Sequence, residues 1–157
     1  FRRVLFRSGG LHCKQGDEMK SRTLEEWVEV YEKKTGQKVE SGNGFATLFF
    51  PDRGFCQVRA TDKMIIIRQL SGDGRFWKQV GEVLAIERGL HHLGTWFTRR
   101  NILAYIRLFG FRVERTEDVE GGLKRYHCVD IVTGKPGHAS PVQNEGDIDE
   151  YFITWEV

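Results

Sequence analysis

The feature that most constrains the fold is a run of three isoleucines, Ile65 to Ile67, within the apolar segment Met64 to Gln69. A strand with one solvent-facing side alternates polar and apolar residues, whereas a strand buried on both faces reads as a continuous β-branched run. Because these positions show no polar alternation, they predict a strand at the centre of a sheet. The chain of 157 residues is long enough to bury such a sheet within one domain.

Composition narrows the classes of function. The formal net charge is only +2, from 24 basic and 22 acidic residues, which gives no case for a general nucleic-acid coat or a membrane-surface protein. No apolar stretch approaches the roughly 18 residues that a membrane span needs. FRRVLFRSGG fits neither a signal peptide nor a transit peptide, and Met19, just ahead of the first predicted helix, suits a natural start. Residues 1–18 are therefore expected to be a non-native or disordered segment. Residues 19–157 are expected to form a single domain.

The cysteines and histidines give no metal-binding motif. Cys13, Cys56 and Cys128 include no Cys-x-x-Cys spacing, so a reduced, cytoplasmic location is expected. His12 and His127 each stand next to a cysteine, and neighbouring side chains on a strand point to opposite faces. A zinc site needs ligands in spaced pairs, so no metal is expected.

Before the isoleucine run, the pattern predicts one helix and two strands. Thr23 and Glu26 have the spacing of a capping box, which starts a helix that Gly36 ends. Strands from Phe45 to Phe50 and from Phe55 to Ala60 flank Pro-Asp-Arg-Gly, whose proline and glycine suit a tight turn. Together with the isoleucine strand they predict an antiparallel meander.

After the isoleucine run, a helix separates two strands, which predicts a β-α-β crossover and hence a parallel pair. A short helix, a hairpin, a long polar loop and a last strand follow. The chain is therefore expected to be an α/β protein of α+β-like order with a mixed sheet. The predicted elements are helix Arg75 to Arg88, strand Leu90 to Thr98, helix Asn101 to Phe109, strands Phe111 to Thr116 and Leu123 to Ile131, loop Thr133 to Asp149 and strand Tyr151 to Val157.

Two glycines lie between the isoleucine strand and the helix that follows, in Gln69-Leu-Ser-Gly-Asp-Gly74. Gly72 and Gly74 allow a tight turn and let backbone amides approach an anion without a Cβ atom in the way. The free N–H groups and the positive dipole end of the helix point at the same place, where Arg75 can add a charge-assisted contact. The segment predicts a diphosphate site, and a tight strand-to-helix turn without a ligand is the alternative.

The sequence QLSGDG resembles the Gln/Arg-x-x-Gly-x-Gly/Ala signature of the GNAT (N-acetyltransferase) superfamily. In that family the loop cradles the pyrophosphate of acetyl-coenzyme A or another acyl-coenzyme A. The similarity extends over Phe45 to Ile131 and implies a GNAT-like fold, with a mixed, mostly antiparallel central sheet flanked by helices. The cofactor-binding residues that the resemblance implies are Ile66, Ile67, Arg68, Gln69, Ser71, Gly72, Asp73, Gly74, Arg75 and Asn101.

The resemblance includes departures from the family pattern. Asn101, Ala104 and the pair Gly110-Phe111 resemble the late N…A…GF segment of the family, but Gly110 arrives two residues early. Leu108 stands where that spacing puts the family's tyrosine. Asp73 places a carboxylate in a loop meant for phosphates, where it can cap the helix instead.

The activity implied by the resemblance is acyl-coenzyme A-dependent N-acyl transfer, in which an amine attacks a thioester directly. The expected acceptor is a small amine, a protein lysine or a nucleobase amine. The reaction needs a base for the ammonium, donors that polarise the carbonyl and an acid for the leaving thiolate. Tyr105, the nearest tyrosine to the expected position, is the candidate acid, and His92 and Glu87 are the candidate bases.

The alternative is a catalytically silent GNAT-like module that binds a partner, and the missing in-register tyrosine favours it. The compact chain suits a phage or mobile-element protein from an environmental sequence, acting on a host protein or nucleic acid. Trp77, Trp96 and Trp155 fit core packing or, alternatively, stacking on a nucleobase or adenine. Arg99-Arg100 and Arg107 fit a solvated surface, the 3′-phosphate of coenzyme A or a nucleic-acid backbone.

Overall fold

Residues 20–98, 101–142 and 150–157 are described in the computed structural model. This part of the chain forms three α-helices, which are α1 (Leu24–Thr35), α2 (Gly74–Glu87) and α3 (Ile102–Leu108). Its strands are β1 (Ala46–Phe50), β2 (Gly54–Ala60), β3 (Ile65–Gly72), β4 (His92–Thr98), β5 (Phe111–Val119), β6 (Leu123–Asp130), β7 (Pro136–Pro141) and β8 (Glu150–Glu156). None of the helices described here is long and apolar enough to cross a membrane.

The strands form one eight-stranded sheet in the order β1-β2-β3-β4-β8-β7-β6-β5. Strands β3 and β4, which α2 connects, run parallel, and the other neighbouring pairs of the described sheet are antiparallel. The predictions of an α/β chain and of a mixed, mostly antiparallel sheet are confirmed. Strand β3 has neighbours on both sides, and Ile65 to Ile67 are buried as predicted.

Local sequence determines both ends of α1. The Thr23 hydroxyl accepts a hydrogen bond from the Glu26 amide at 3.2 Å, and the Glu26 carboxylate accepts one from the Thr23 amide at 3.1 Å. These bonds satisfy N–H groups that the first turn of a helix leaves without partners. Gly36 ends the helix in the left-handed conformation, with a φ of 70°. The predicted capping box and helix end are confirmed.

The sheet has a hydrophobic layer on each face. On one side, which we call the α2 face, α2 and α3 pack on Cys56 and the strands beside it. On the opposite side, the α1 face, Trp27 and Tyr31 of α1 pack on Phe55. Phe55 and Cys56 are neighbours on β2, and successive side chains of a strand point to opposite faces. The same alternation, together with the pairing register, determines which side chains of β3 to β8 lie on each face.

Two strands differ from the predictions. Strand β3 continues to Gly72, so most of the residues predicted to form the glycine loop belong to a strand that is paired with β2. Strand β7 lies within the predicted loop Thr133 to Asp149, part of which is outside the described residues. A Cβ atom at Gly137 would lie 2.9 Å from the Trp155 Cβ atom. Close packing on β8 therefore holds a strand that its glycine and proline content argues against.

The other predicted helices and strands are confirmed, with ends that shift by no more than three residues. The predicted hairpin is confirmed, and Glu120–Gly122 form its turn, in which Gly121 has a φ of 76° and Gly122 a φ of 71°. Because only glycine adopts that conformation readily, the sequence of this turn determines its geometry.

Candidate functional site

Strands β3 and β4 are paired over three positions and then separate. The paired residues are Ile65 with Leu93, Ile66 with Gly94 and Ile67 with Thr95. Beyond these positions β3 stays on β2 as far as Gly72, and β4 stays on β8 as far as Thr98. We call the opening between the two strands the strand fork. Backbone groups along its inner edges have no partner on the facing strand within the described register.

A β-bulge explains where the fork begins. Cys56 pairs with Leu70 and Val58 pairs with Ile67, so β3 has one residue more than β2 over this stretch. An extra residue of this kind bends its strand and increases the local twist. At the last paired position, the Thr95 hydroxyl donates a hydrogen bond to the Ile67 carbonyl at 2.9 Å. The hydroxyl thereby satisfies a buried acceptor at the point where the two strands diverge.

The two bulge residues are held by polar contacts on the α1 face. The Gln69 side chain accepts a hydrogen bond from the Glu40 amide at 2.8 Å and donates one to the Lys38 carbonyl at 3.1 Å. The Arg68 guanidinium donates to Gln57 at 2.8 Å and lies over the ring of Phe45. Both side chains were predicted to bind a cofactor, and in this structure they fix the segment that leads into β1.

Asp73 is the single residue between β3 and α2. Its carboxylate accepts a hydrogen bond from the Phe76 amide at 3.1 Å and caps the helix. The other carboxylate oxygen lies 3.4 Å from the Arg53 guanidinium, and both side chains are buried. The positive end of the helix is therefore already occupied by a negative charge, which Arg53 balances.

Contacts within the protein require a glycine at position 72 of the predicted loop but not at position 74. Gly72 has a φ of 99°, and a Cβ atom there would lie 2.2 Å from the Arg53 carbonyl oxygen. Gly74 begins α2, and its Cβ position lies 3.4 Å from the ring of Phe109. Next to it, the Arg75 guanidinium donates a hydrogen bond to the Leu108 carbonyl at 3.0 Å. The end of α3 therefore packs against the place that was predicted to hold a diphosphate.

The structure does not bring the candidate catalytic residues together. Tyr105 is half-buried and its ring stacks on Phe97, with centroids 4.5 Å apart. Glu87 is exposed at the far end of α2, about 20 Å from Gly74 along the helix. His92 is exposed at the start of β4, about 10 Å before the fork begins at Thr95.

Four further residues of the predicted cofactor site, Ile66, Ile67, Ser71 and Asn101, do not form a shared ligand site. Ile66 and Ile67 pair with β2 on one side and β4 on the other, so their backbone groups are not open to pantetheine. Ser71 is buried and pairs with Phe55. Asn101 is exposed before α3, and its side chain makes no capping hydrogen bond. The expectation that these positions line a cofactor is therefore not supported by the geometry.

The tryptophans separate into two groups. Trp77 and Trp155 are buried on the α2 face, where the Trp77 indole donates to the Arg53 carbonyl at 2.9 Å. These two fit the core-packing prediction. Trp96 is half-buried on the α1 face, where its ring lies 5.1 Å from that of Phe152. Of the predicted basic cluster, positions 99 and 100 are outside the described residues, and Arg107 is exposed on α3.

Sequence reasoning missed a histidine-rich surface on the α1 face. Helix α1 lies over β2 and β3, and the same face of β4, β8, β7 and β6 carries side chains that are half-buried or exposed. We call this surface the open face. It includes a depression of about 410 Å³ whose lining includes His92, Glu114, His127, His138 and Glu156. Strand register unites these residues, and register is not readable from spacing alone.

Charges on the open face form a small network around Glu117. Its carboxylate lies 3.0 Å from His127 Nε2 and 3.3 Å from the Arg125 guanidinium. The hydrogen bond with His127 is the main cause that lowers the pKa of Glu117. Partial burial of the otherwise exposed His138 ring lowers its pKa, and the nearby Arg125 charge acts in the same direction.

A buried ion cluster joins α2 to β6 on the opposite face. The Lys78 ammonium lies 2.6 Å from Asp130 and 3.4 Å from Glu82. Burial raises the pKa of Glu82. Burial would also raise the pKa of Asp130, but hydrogen bonds from Lys78 and from the Val132 amide bring that pKa below its usual value. This cluster anchors the helix, and neither of the two depressions that we describe reaches it.

A second depression, of about 500 Å³, lies at the start of α1 and is lined in part by Arg22, Thr23 and Phe49. Like the first, it is not lined by the residues around Asp73. In comparisons with family models, with curated proteins and with solved structures, nothing matched this chain.

Proposed function

We propose that this chain is a GNAT-like module that binds a partner and does not transfer an acyl group. The QLSGDG segment and the strand order around it support the family resemblance, together with a parallel pair that separates into a fork. The observation that carries the silent assignment is the carboxylate of Asp73 at the start of α2. A ligand diphosphate would have to occupy that same position.

Electrostatics and packing both oppose a diphosphate there. A unit negative charge 4 Å from a carboxylate costs about 4 kcal/mol at an effective dielectric constant of 20, before any offset from Arg53. Moving Asp73 aside would leave the buried Arg53 guanidinium without its partner at 3.4 Å. Phe109 and the Arg75–Leu108 hydrogen bond fill the neighbouring space. The helix start is thus satisfied by the protein itself.

The open face is the surface that we assign to the partner. It combines a half-buried aromatic pair, Trp96 and Phe152, with histidines and with both signs of charge. Glu114 and Glu156 line its depression, and these carboxylates would repel a nucleic-acid backbone. Charges of both signs around an aromatic centre fit a protein partner better than a nucleic acid.

Incubation with acetyl-coenzyme A tests the silent assignment. We expect no thermal shift at millimolar acetyl-coenzyme A and no thiol release with small amines or lysine peptides as acceptors. A shift accompanied by thiol release would overturn the proposal. A thermal shift without thiol release would show that the coenzyme binds. It would contradict the claim that Asp73 closes the start of α2 to a diphosphate, but it would agree with the absence of acyl transfer.

Variants on the open face test the partner assignment. Thr154→Arg places a long charged side chain beside His138, which is opposite Thr154 in the register. Thr47→Arg is the matched control, because Thr47 is an exposed strand residue on β1 at the far edge of the sheet. A protein captured by the wild-type chain should be lost with Thr154→Arg and retained with Thr47→Arg. Equal capture by both variants would show that the partner binds a surface other than the open face.

The strand fork favours a second candidate, an acyl-coenzyme A-dependent N-acyltransferase acting on a small amine or a protein lysine. Unpaired backbone groups between β3 and β4 suit an extended ligand that carries amides, such as pantetheine. Tyr105, on α3, would be the acid. The acetyl-coenzyme A titration separates this candidate from the silent module, because thiol release is expected only from the enzyme.

A further inference from the structure

Two histidines face each other across neighbouring strands of the open face. His127 on β6 is directly opposite His138 on β7 in the antiparallel register. Their ring centroids are 6.4 Å apart and the ring planes are tilted by 39°. His138 is exposed, and the His127 side chain retains 30% of its accessible surface. Both rings therefore reach solvent from the same side of the sheet.

This spacing suits a shared metal ion. Residues directly opposite each other on antiparallel strands have Cβ atoms about 4.5–5.5 Å apart. An ion about 2 Å from one nitrogen of each ring would hold the centroids about 5 Å apart at a tetrahedral angle. The observed separation of 6.4 Å is wider than that distance by about 1 Å. Small side-chain rotations would be enough to bring the two nitrogens to one ion.

Glu117 prepares one of the two rings for ligation. Its carboxylate oxygen lies 3.0 Å from His127 Nε2, so that nitrogen carries the proton and donates to the carboxylate. In the neutral form of the ring the other nitrogen, Nδ1, then holds a free electron pair. A carboxylate bound to the second nitrogen of a ligating histidine is the usual arrangement in metal sites, where it orients the ring and raises its basicity.

We propose that His127 and His138 form a two-histidine site for a borderline divalent transition-metal ion, the class that contains Ni²⁺, Cu²⁺ and Zn²⁺. Imidazole nitrogen is a preferred ligand for these ions. No group of three or more His, Cys, Asp or Glu side chains in the described ranges is arranged to hold a metal. The remaining coordination positions therefore belong to water or to a ligand from outside the chain. This site does not depend on the function proposed above.

Metal titration of the full chain, prepared without a histidine tag, tests the site. We expect Ni²⁺ to bind with a stoichiometry of one in calorimetry, and Cu²⁺ to give an electron paramagnetic resonance spectrum with nitrogen hyperfine structure. His127→Gln and His138→Gln should each weaken Ni²⁺ binding at least tenfold. Glu117→Gln, which keeps both ligands, should weaken it about tenfold by loss of the orienting carboxylate.

Three other histidines provide matched controls. His92→Gln removes a ring that lines the same depression but lies beyond β8, and His91→Gln removes an exposed ring beside it. His12→Gln removes a histidine outside the described residues. All three should bind Ni²⁺ as the wild type does. Unchanged binding in both His127→Gln and His138→Gln, or no binding by the wild type, would overturn the site. Circular dichroism of these surface variants establishes that each one folds.

Discussion

The carboxylate of Asp73 and the guanidinium of Arg53 form a buried ion pair, with the two groups 3.4 Å apart at the start of α2. Arg53 also accepts, through its carbonyl oxygen, hydrogen bonds from the Asp73 amide and from the Trp77 indole. The turn between β1 and β2 is thereby attached to the helix start by both side-chain and backbone contacts. An arrangement of this kind stabilises the fold at the place where the resemblance implied a cofactor.

Removing the Asp73 carboxylate should destabilise the protein strongly. Asp73→Ala deletes the helix cap and leaves Arg53 buried without a partner, and we expect a loss of about 3–5 kcal/mol in the free energy of unfolding. Asp73→Asn keeps a good cap and should lose about 1 kcal/mol less than Asp73→Ala. Chemical denaturation of both variants measures the difference. Wild-type stability in Asp73→Ala would contradict the structural role of the pair.

The same variant tests whether charge closes the helix start to diphosphates. Asp73→Asn removes the like charge while keeping the side-chain shape, so we expect its affinity for coenzyme A to exceed that of the wild type by about tenfold or more. Isothermal titration with coenzyme A and with pyrophosphate measures both affinities. An affinity of Asp73→Asn no higher than that of the wild type would show that the Asp73 charge is not what excludes the ligand.

Gly72 should tolerate no side chain. An alanine there would place its Cβ atom 2.2 Å from the Arg53 carbonyl oxygen, with a backbone φ of 99°. We expect Gly72→Ala to lose at least about 3 kcal/mol in the free energy of unfolding, from backbone strain together with a steric clash. Gly134→Ala is the matched control, because Gly134 has a φ of 72° and an open Cβ position. That control should lose only about 1–2 kcal/mol, the cost of the left-handed conformation alone.

The parts of the fold that were predicted correctly depend on residues close together in sequence. Thr23 and Glu26 cap α1 from three positions apart. The turn after Phe50 closes with a hydrogen bond from the Arg53 amide to the Phe50 carbonyl at 3.0 Å. In both places the residues that determine the local structure lie within the same short segment, so the sequence of that segment predicts it.

The parts that were missed depend on distant partners. The cap that Asp73 forms on α2 was predicted as an alternative and is confirmed, but its ion pair with Arg53 of the preceding turn was not foreseen. Strand β7 exists because Gly137 lies against Trp155 of β8. His127 and His138 meet only because β6 and β7 pair in one register, and a shift of one residue would separate them. Contacts of this kind leave no periodic signal in the sequence.

Asp130 should make stability depend on pH in the acid range. Its pKa in the folded protein is below the unfolded value, so it contributes stability above about pH 4 and loses it as the pH falls through the folded pKa. Asp130→Asn removes that contribution and leaves Lys78 with Glu82 alone. We expect a loss of about 3 kcal/mol at pH 7 that shrinks below about pH 4. Urea denaturation of both proteins from pH 7 to pH 3 measures the gap, and a constant gap would contradict this assignment.

Cys56 and Cys128 should resist alkylation in the native protein. Both thiols are buried, and burial, with the nearby Asp130 charge in the same direction, raises the pKa of Cys128 to about 11. Burial also raises the pKa of Cys56. At pH 8 the reactive thiolate of Cys128 is then about one part in a thousand, and its access to reagent is blocked as well. We expect mass spectrometry after iodoacetamide treatment to find both cysteines unmodified in the native chain. Both should be fully modified in about 6 M guanidinium chloride, a concentration that unfolds most domains. Rapid modification of either thiol under native conditions would mean that the core cluster of the α2 face opens far more often than its packing implies.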